Sequence, residues 1–190
     1  MIYYVRHGET FFNKQGNWSG YSDTILTGKG VKQAVDLGHK IKDVKFDLVF
    51  ASPLLRTKQT CELILTARPA DKRPPVIIDA RIIEYYCGDY EGLEWMKHPD
   101  FDDDFFSERK LYDYSTVESF EAVEARVKSF LDELWEEHKG KDILVVAHGG
   151  VGRVFKAYFD GKPKSGFYRD TPEMMNCELI KFDFDKRVKK

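Results

Sequence analysis

Four short apolar runs punctuate the chain: Ile2–Val5, Leu48–Ala51, Val76–Ile78 and Ile143–Ala147. Each is nearly continuous rather than alternating, the pattern of a strand covered on both faces. Between them lie longer stretches of helical periodicity, with predicted starts near Lys29, Pro53, Val117 and Gly152. In the first, Val31, Ala34, Val35 and Leu37 repeat at helical spacing, and Gly38 weakens the end. In the second, Ser52 is a candidate cap and Pro53 suits the first helical position, which needs no amide hydrogen. The third runs to about His138, with Ser115 and Glu118 matching a capping box and Gly140 as a stop signal. Its apolar stripe is Phe120, Val123, Val127, Phe130, Leu131 and Leu134. Strand and helix in alternation predict an α/β three-layer sandwich: a mostly parallel central sheet with helices on both faces.

No repeat or linker divides the chain, so residues 1–190 are read as one domain. The stretch from about 93 to 115 breaks the rhythm and is read as a partly helical insertion able to fold over a site. It carries Trp95, Met96, Phe101, Phe105 and Phe106 among many acids. Asp100, Asp102, Asp103 and Asp104 are read as a solvated face rather than a cation site. The basic C-terminal residues from Lys186 to Lys190 are read as a frayed end.

Charge and cysteine usage narrow the function classes. The net charge is −2, which gives no reason to expect nucleic acid or an anionic membrane as partner. No apolar run reaches the length of a membrane span, and the chain enters its first strand without a signal-peptide pattern. The cysteines, Cys61, Cys87 and Cys177, are odd in number and far apart, which fits neither a disulfide framework nor zinc spacing and suggests a reducing, cytoplasmic setting. The oligomeric state is not legible.

The candidate chemistry sits where strands end. Arg6-His7-Gly8-Glu9 follows the first strand, and His148-Gly149-Gly150 follows the last. In an open α/β sheet, ligands bind beyond the carboxyl ends of the strands. Arg56 lies in the first turn of the second helix, where free amides and a planar guanidinium suit a phosphate. Arg6, Arg56, His7 and His148 together form a cluster that calls for an anionic ligand. A histidine beside two arginines is pushed toward its neutral form and keeps a lone pair for attack on phosphorus. The second histidine and the arginines can then stabilise the transferring group, so no metal or other cofactor is expected. Glu84, after Ile82-Ile83 and before Tyr85-Tyr86, is the candidate proton donor, with burial raising its pKa.

These segments resemble the signatures of the histidine phosphatase superfamily, the phosphoglycerate mutase-like fold. The matching stretches are Val5–Thr10 with Asn13; Ser19-Gly20-Tyr21 through Gln33-Ala34; Ser52–Leu54 with Arg56-Thr57; Glu84, Gly88 and Glu91-Gly92; and Val146–Val151 with Arg153. The resemblance implies that His7 is the phosphorylated nucleophile and that Arg6, Arg56 and His148 bind the phosphoryl group with Asn13 assisting. It further implies that Glu84 is the general acid and then the base. Ser19, Gly20 and Gly149 occupy substrate-contact positions.

Mutases of this family usually carry a tyrosine, a lysine and an asparagine where this chain has Cys87, Trp95 and Gly150. The favoured reading is therefore a metal-independent phosphomonoester phosphatase acting on a small phosphorylated metabolite. The alternatives are a cofactor-dependent phosphoglycerate mutase and a non-catalytic phosphate-binding member. Trp18, Tyr21, Tyr85, Tyr86, Tyr90 and Trp95 are candidates for an aromatic entrance. Arg109 and Lys110 are read as surface charges, with a contact to a substrate carboxylate as the lesser reading.

Overall fold

A computed structural model describes residues 1–98, 105–106 and 115–186. Five strands form one sheet: β1 (Ile2–Arg6), β2 (Leu48–Ala51), β3 (Val76–Ile78), β4 (Ile143–Ala147) and β5 (Leu179–Phe182). Their order is β3-β2-β4-β1-β5. All neighbours run parallel except β5, which pairs antiparallel with β1. The four predicted strands are present; β5 is an addition, half-buried at the edge and without a continuous apolar run to announce it.

The period of two along each central strand divides the core into two layers. Ile2 and Tyr4 of β1, Phe50 of β2 and Ile143, Val145 and Ala147 of β4 face one cluster. Tyr3, Val5, Val49, Ala51, Leu144 and Val146 face the other. The first face is covered by α4 (Phe120–His138) and α5 (Gly149–Asp160), the second by α2 (Gly28–Lys40) and α3 (Leu55–Thr66). A short α1 (Phe11–Gln15) follows β1 and was not foreseen from the pattern. All six predicted stripe residues of α4 are buried. Each such apolar side chain contributes about 1.5–3 kcal/mol on removal from water.

Local details differ from expectation. Helix α2 continues through Gly38 because any side chain there would meet the backbone of Ile64 at 2.7 Å, so the glycine permits the close α2–α3 packing. Helix α3 begins at Leu55, not Pro53, and no local side chain caps it. The carboxylate of Asp23, far away in sequence, accepts from the Leu55 amide at 2.7 Å instead. The capping box at Ser115 does not form. Ser119 is the cap of α4, and Glu118 turns instead to Arg126 at 2.8 Å. Helix α5 starts at Gly149, immediately after the histidine, rather than at Gly152. Strand β3 is not covered on both faces: as the sheet edge, its three side chains stay 39–48 % exposed.

The insertion read at 93–115 lies mostly outside the described residues. So do Phe101, the acids at 100 and 102–104, Arg109, Lys110 and the basic end at 187–190. Within the described part, Phe105 and Phe106 are buried and pack on Tyr85 and Phe120. No described helix is long and apolar enough to cross a membrane.

Candidate active site

Parallel pairing of β1 with β4 puts Arg6 opposite Ala147, so the two histidines that follow leave the sheet at the same edge. The His7 amide donates to the Ala147 carbonyl at 3.0 Å, and the two imidazole centroids are 5.3 Å apart. Both rings are buried. His7 Nδ1 lies 2.8 Å from its neighbour's carbonyl, Gly8 O. A carbonyl only accepts, so Nδ1 carries the hydrogen and Nε2 keeps the lone pair. Burial, then Arg56, then Arg6, holds His7 well below the usual histidine range. The same burial and charges act on His148. Its Nε2 is 2.7 Å from Ser52 Oγ. The serine expected to cap α3 is therefore a partner of the second histidine.

Arg56 is fully buried, and its guanidinium is gripped by three backbone carbonyls: Ser22 at 2.9 Å, Ser19 at 2.6 Å and Gly20 at 2.8 Å. Burial lowers its pKa to about 10, so it stays cationic near neutrality. The loop carrying these carbonyls is fastened by Glu91. Its carboxylate accepts from the amides of Tyr21, Ser22 and Cys87 at 2.8, 3.1 and 3.1 Å, and from Ser22 Oγ at 2.5 Å. Gly20 is required here: a Cβ would fall 2.3 Å from the Tyr85 carbonyl and 2.4 Å from Glu91 Oε1. The sequence shows Glu91 only as part of a Glu-Gly pair; its task as a loop anchor depends on contacts seventy residues away.

Arg6 directs Nη1 to Glu173 Oε1 and to the Met174 carbonyl, both at 2.6 Å. The loop before β5 also reaches His7, where Asn176 Nδ2 donates to the backbone carbonyl at 2.9 Å. No local pattern pointed to Glu173 or Asn176, because both arrive through the antiparallel return of β5. Tyr4, in the middle of β1, receives the His148 amide at 3.1 Å and donates to the His148 carbonyl at 2.6 Å, which locks the turn.

Glu84 is buried across from the histidines, and burial raises its pKa even though Arg56 and two amides oppose this. Those amides are Gly150 N–H on Oε2 at 3.1 Å and Tyr85 N–H on Oε1 at 3.2 Å. One cavity is lined by Arg6, His7, Arg56, Glu84 and Gly149, together with Asn13, Ser19 and Gly20. His148 stands behind this wall, beside His7. Asn13 closes the first turn of α1: its Oδ1 accepts from the Thr10 amide at 3.1 Å. Of the aromatic candidates, Trp18, Tyr85 and Trp95 line the cavity. Tyr21 and Tyr86 pair with each other outside it, and Tyr90 packs on the edge of Trp18. Among the described residues no cluster of three or more histidine, cysteine or acidic side chains could hold a metal ion. Two cationic forks, two imidazoles held below the usual histidine range and one buried carboxyl with a raised pKa are suited to a dianionic ester: the first four can hold phosphate and the last can protonate a departing oxygen.

Comparison with known proteins agrees with this fold. The family model of the histidine phosphatase superfamily (branch 1) matches residues 2–190. The chain is 33 % identical over 172 residues to the adenosylcobalamin/alpha-ribazole phosphatase of Escherichia coli (strain K12), covering 88 % of this chain and 82 % of that one. It is 33 % identical over 159 residues to the metal-independent phosphoserine phosphatase of Arabidopsis thaliana, covering 80 % and 66 % respectively. The crystal structure of phosphoglycerate mutase from Bacillus anthracis str. Sterne superposes with a TM-score of 0.74 at 25 % identity, covering 84 % of this chain and 79 % of the other.

Proposed function

The chain belongs to the histidine phosphatase superfamily, and we propose that it is a metal-independent phosphomonoester phosphatase that works through a phosphohistidine on a small phosphorylated metabolite. His7 Nε2, with its lone pair free and the ring held neutral, attacks phosphorus. The P–O ester bond breaks, and the leaving oxygen takes a proton from the Glu84 carboxyl, whose pKa burial raises. Glu84, now a carboxylate, takes a proton from water as the water oxygen attacks the same phosphorus. The P–N bond breaks, and His7 recovers its lone pair. Arg6 and Arg56 neutralise the equatorial oxygens throughout, the task that magnesium performs in many phosphotransferases. A phosphate dianion beside His148 would oppose the effect of Arg56 and favour its imidazolium form.

The observation that carries this reading is the placement of Glu84 against Gly150. A Cβ at position 150 would lie 2.6 Å from Glu84 Oε1 and 2.8 Å from the Tyr85 ring. The asparagine that mutases carry there would displace the proton donor, so hydrolysis fits this wall better than isomerisation. The reading extends to a single catalytic domain in a reducing compartment, supported by Cys61, Cys87 and Cys177, none of which forms a disulfide. The test is hydrolysis of a chromogenic phosphomonoester with chelator present. Wild-type turnover that survives chelation and falls by about 10³-fold or more in His7→Ala is expected. Activity retained in His7→Ala would remove the nucleophile assigned here.

A further inference from the structure

Charge around the cavity is unevenly divided. Among the described lining residues the cations are Arg6, Arg56 and Arg153, and the acids are Glu84 and Glu173. Arg6 and Arg56 line the cavity with His7 and are the two assigned to the phosphoryl group. Arg153 is already engaged: its Nη1 donates to the carbonyls of Tyr168, Arg169 and Thr171 at 2.9, 2.9 and 2.8 Å, and its guanidinium lies 4.5 Å from the Phe106 ring centroid. The charge left facing solvent at this wall is the Glu173 carboxylate, whose side chain is 63 % exposed. One of its oxygens holds Arg6, and Oε2 has no hydrogen-bond partner among the described residues.

Glu173 is held firmly rather than by chance. Its neighbour Met174 is buried, with its sulfur filling the space that a Cβ on Gly152 would occupy at 2.3 Å. The Cys177 amide donates to the Arg6 carbonyl at 2.9 Å, which ties the other end of the loop to β1. A fixed carboxylate with a spare acceptor repels a second anion and attracts a hydrogen-bond donor or a cation.

Building on the phosphatase reading, we propose that Glu173 is a specificity-determining residue, selecting phosphomonoesters whose alcohol portion carries amine or hydroxyl groups and rejecting those that carry a second acidic group. The carboxylate accepts from the donor on the leaving alcohol while its other oxygen keeps Arg6 aimed at the phosphate.

The test compares kcat/KM for phosphoethanolamine, bearing an amine, with that for 3-phosphoglycerate, bearing a carboxylate, using p-nitrophenyl phosphate as a common reference. Wild type prefers the amine. In Glu173→Gln the preference ratio falls about tenfold, equivalent to about 1.4 kcal/mol, and in Glu173→Lys it falls further. Using a ratio cancels any change that the variants cause at Arg6. Unchanged ratios in both variants, with p-nitrophenyl phosphate still hydrolysed, would overturn the role of Glu173 and leave the phosphatase reading intact. A folded wild type that hydrolyses none of the three would overturn both.

Discussion

The Gly150 amide donates to Glu84 Oε2 at 3.1 Å, while the missing side chain of Gly150 leaves room for the other carboxyl oxygen. Two functions meet in this contact. The first turn of α5, set directly after His148, orients the proton donor, and the donor's own bulk dictates glycine at position 150. The second histidine and Glu84 are thereby placed by the end of β4 and the start of α5, with His7 alongside at the end of β1.

Gly150→Ala is therefore expected to act on catalysis more than on binding. The added methyl must push Glu84 or Tyr85 aside, at a cost of about 1–3 kcal/mol in stability. Steady-state kinetics should show kcat reduced by at least tenfold, with KM changed less. A variant with wild-type kcat would show that Glu84 does not need its present position.

Removal of the proton donor should depend on the leaving group. In Glu84→Gln, alkyl phosphates lose about 10²–10⁴-fold in kcat, the usual size of general acid catalysis. Aryl phosphates, whose phenolate leaves without a proton, lose less in the first step. Equal losses for a matched alkyl and aryl pair would argue that Glu84 only positions other groups.

Glu91 does not line the cavity, yet it anchors the loop whose carbonyls grip Arg56. Glu91→Ala leaves three amides without their acceptor, each costing about 1–3 kcal/mol where it stays unsatisfied. The expected result is a lower melting temperature and a KM raised about tenfold or more, with kcat less affected, because Arg56 is assigned to binding the phosphoryl group. Glu91→Gln should recover part of both. A melting shift with unchanged KM would assign Glu91 to stability alone.

Stability should fall on the acid side of neutrality. His7 and His148 are held below the usual histidine value, so between the unfolded value of about 6.5 and their lower folded values the unfolded chain binds more protons. Their effect is to destabilise the fold progressively as pH drops below about 6.5, by up to about 1.4 kcal/mol per pH unit for each ring. Glu84, with its pKa raised, acts in the opposite sense: its contribution is present at low pH and is lost as pH rises through its folded value. Urea unfolding at pH 6.5 and 5 checks this, and His7→Asn should reduce the slope by about one proton. A slope identical in wild type and variant would contradict the buried neutral ring.

The strands of the sheet were accessible from the sequence only in part. Continuous apolar runs identify strands that are covered on both faces, and three of the four predicted strands are central or next to the centre. Val76–Ile78 reads the same way in one dimension, yet it ends at an edge, because exposure depends on which strand lies alongside. Strand β5 carries no such run, since its half-buried edge position asks for none. The helix starts were displaced where a distant side chain took over the capping: Asp23 serves α3, and Ser52, the local candidate, is drawn to His148.

For the site, the sequence by itself determined the chemical inventory: two His-Gly turns at strand ends, two arginines for a phosphate and a glutamate after an apolar run. Those signals are local, because backbone turns and strand termini are written in adjacent residues. The tertiary structure alone decided which nitrogen of His7 is free, which oxygens hold Arg56, and that burial raises the pKa of Glu84. It also brought Glu173 and Asn176 to the site from a loop with no motif of its own, and gave Glu91, marked in the sequence only as part of a Glu-Gly pair, its task as a loop anchor. Hydrogen-bond partners and desolvation arise from groups far apart along the chain, and only packing the two layers onto the sheet brings them together.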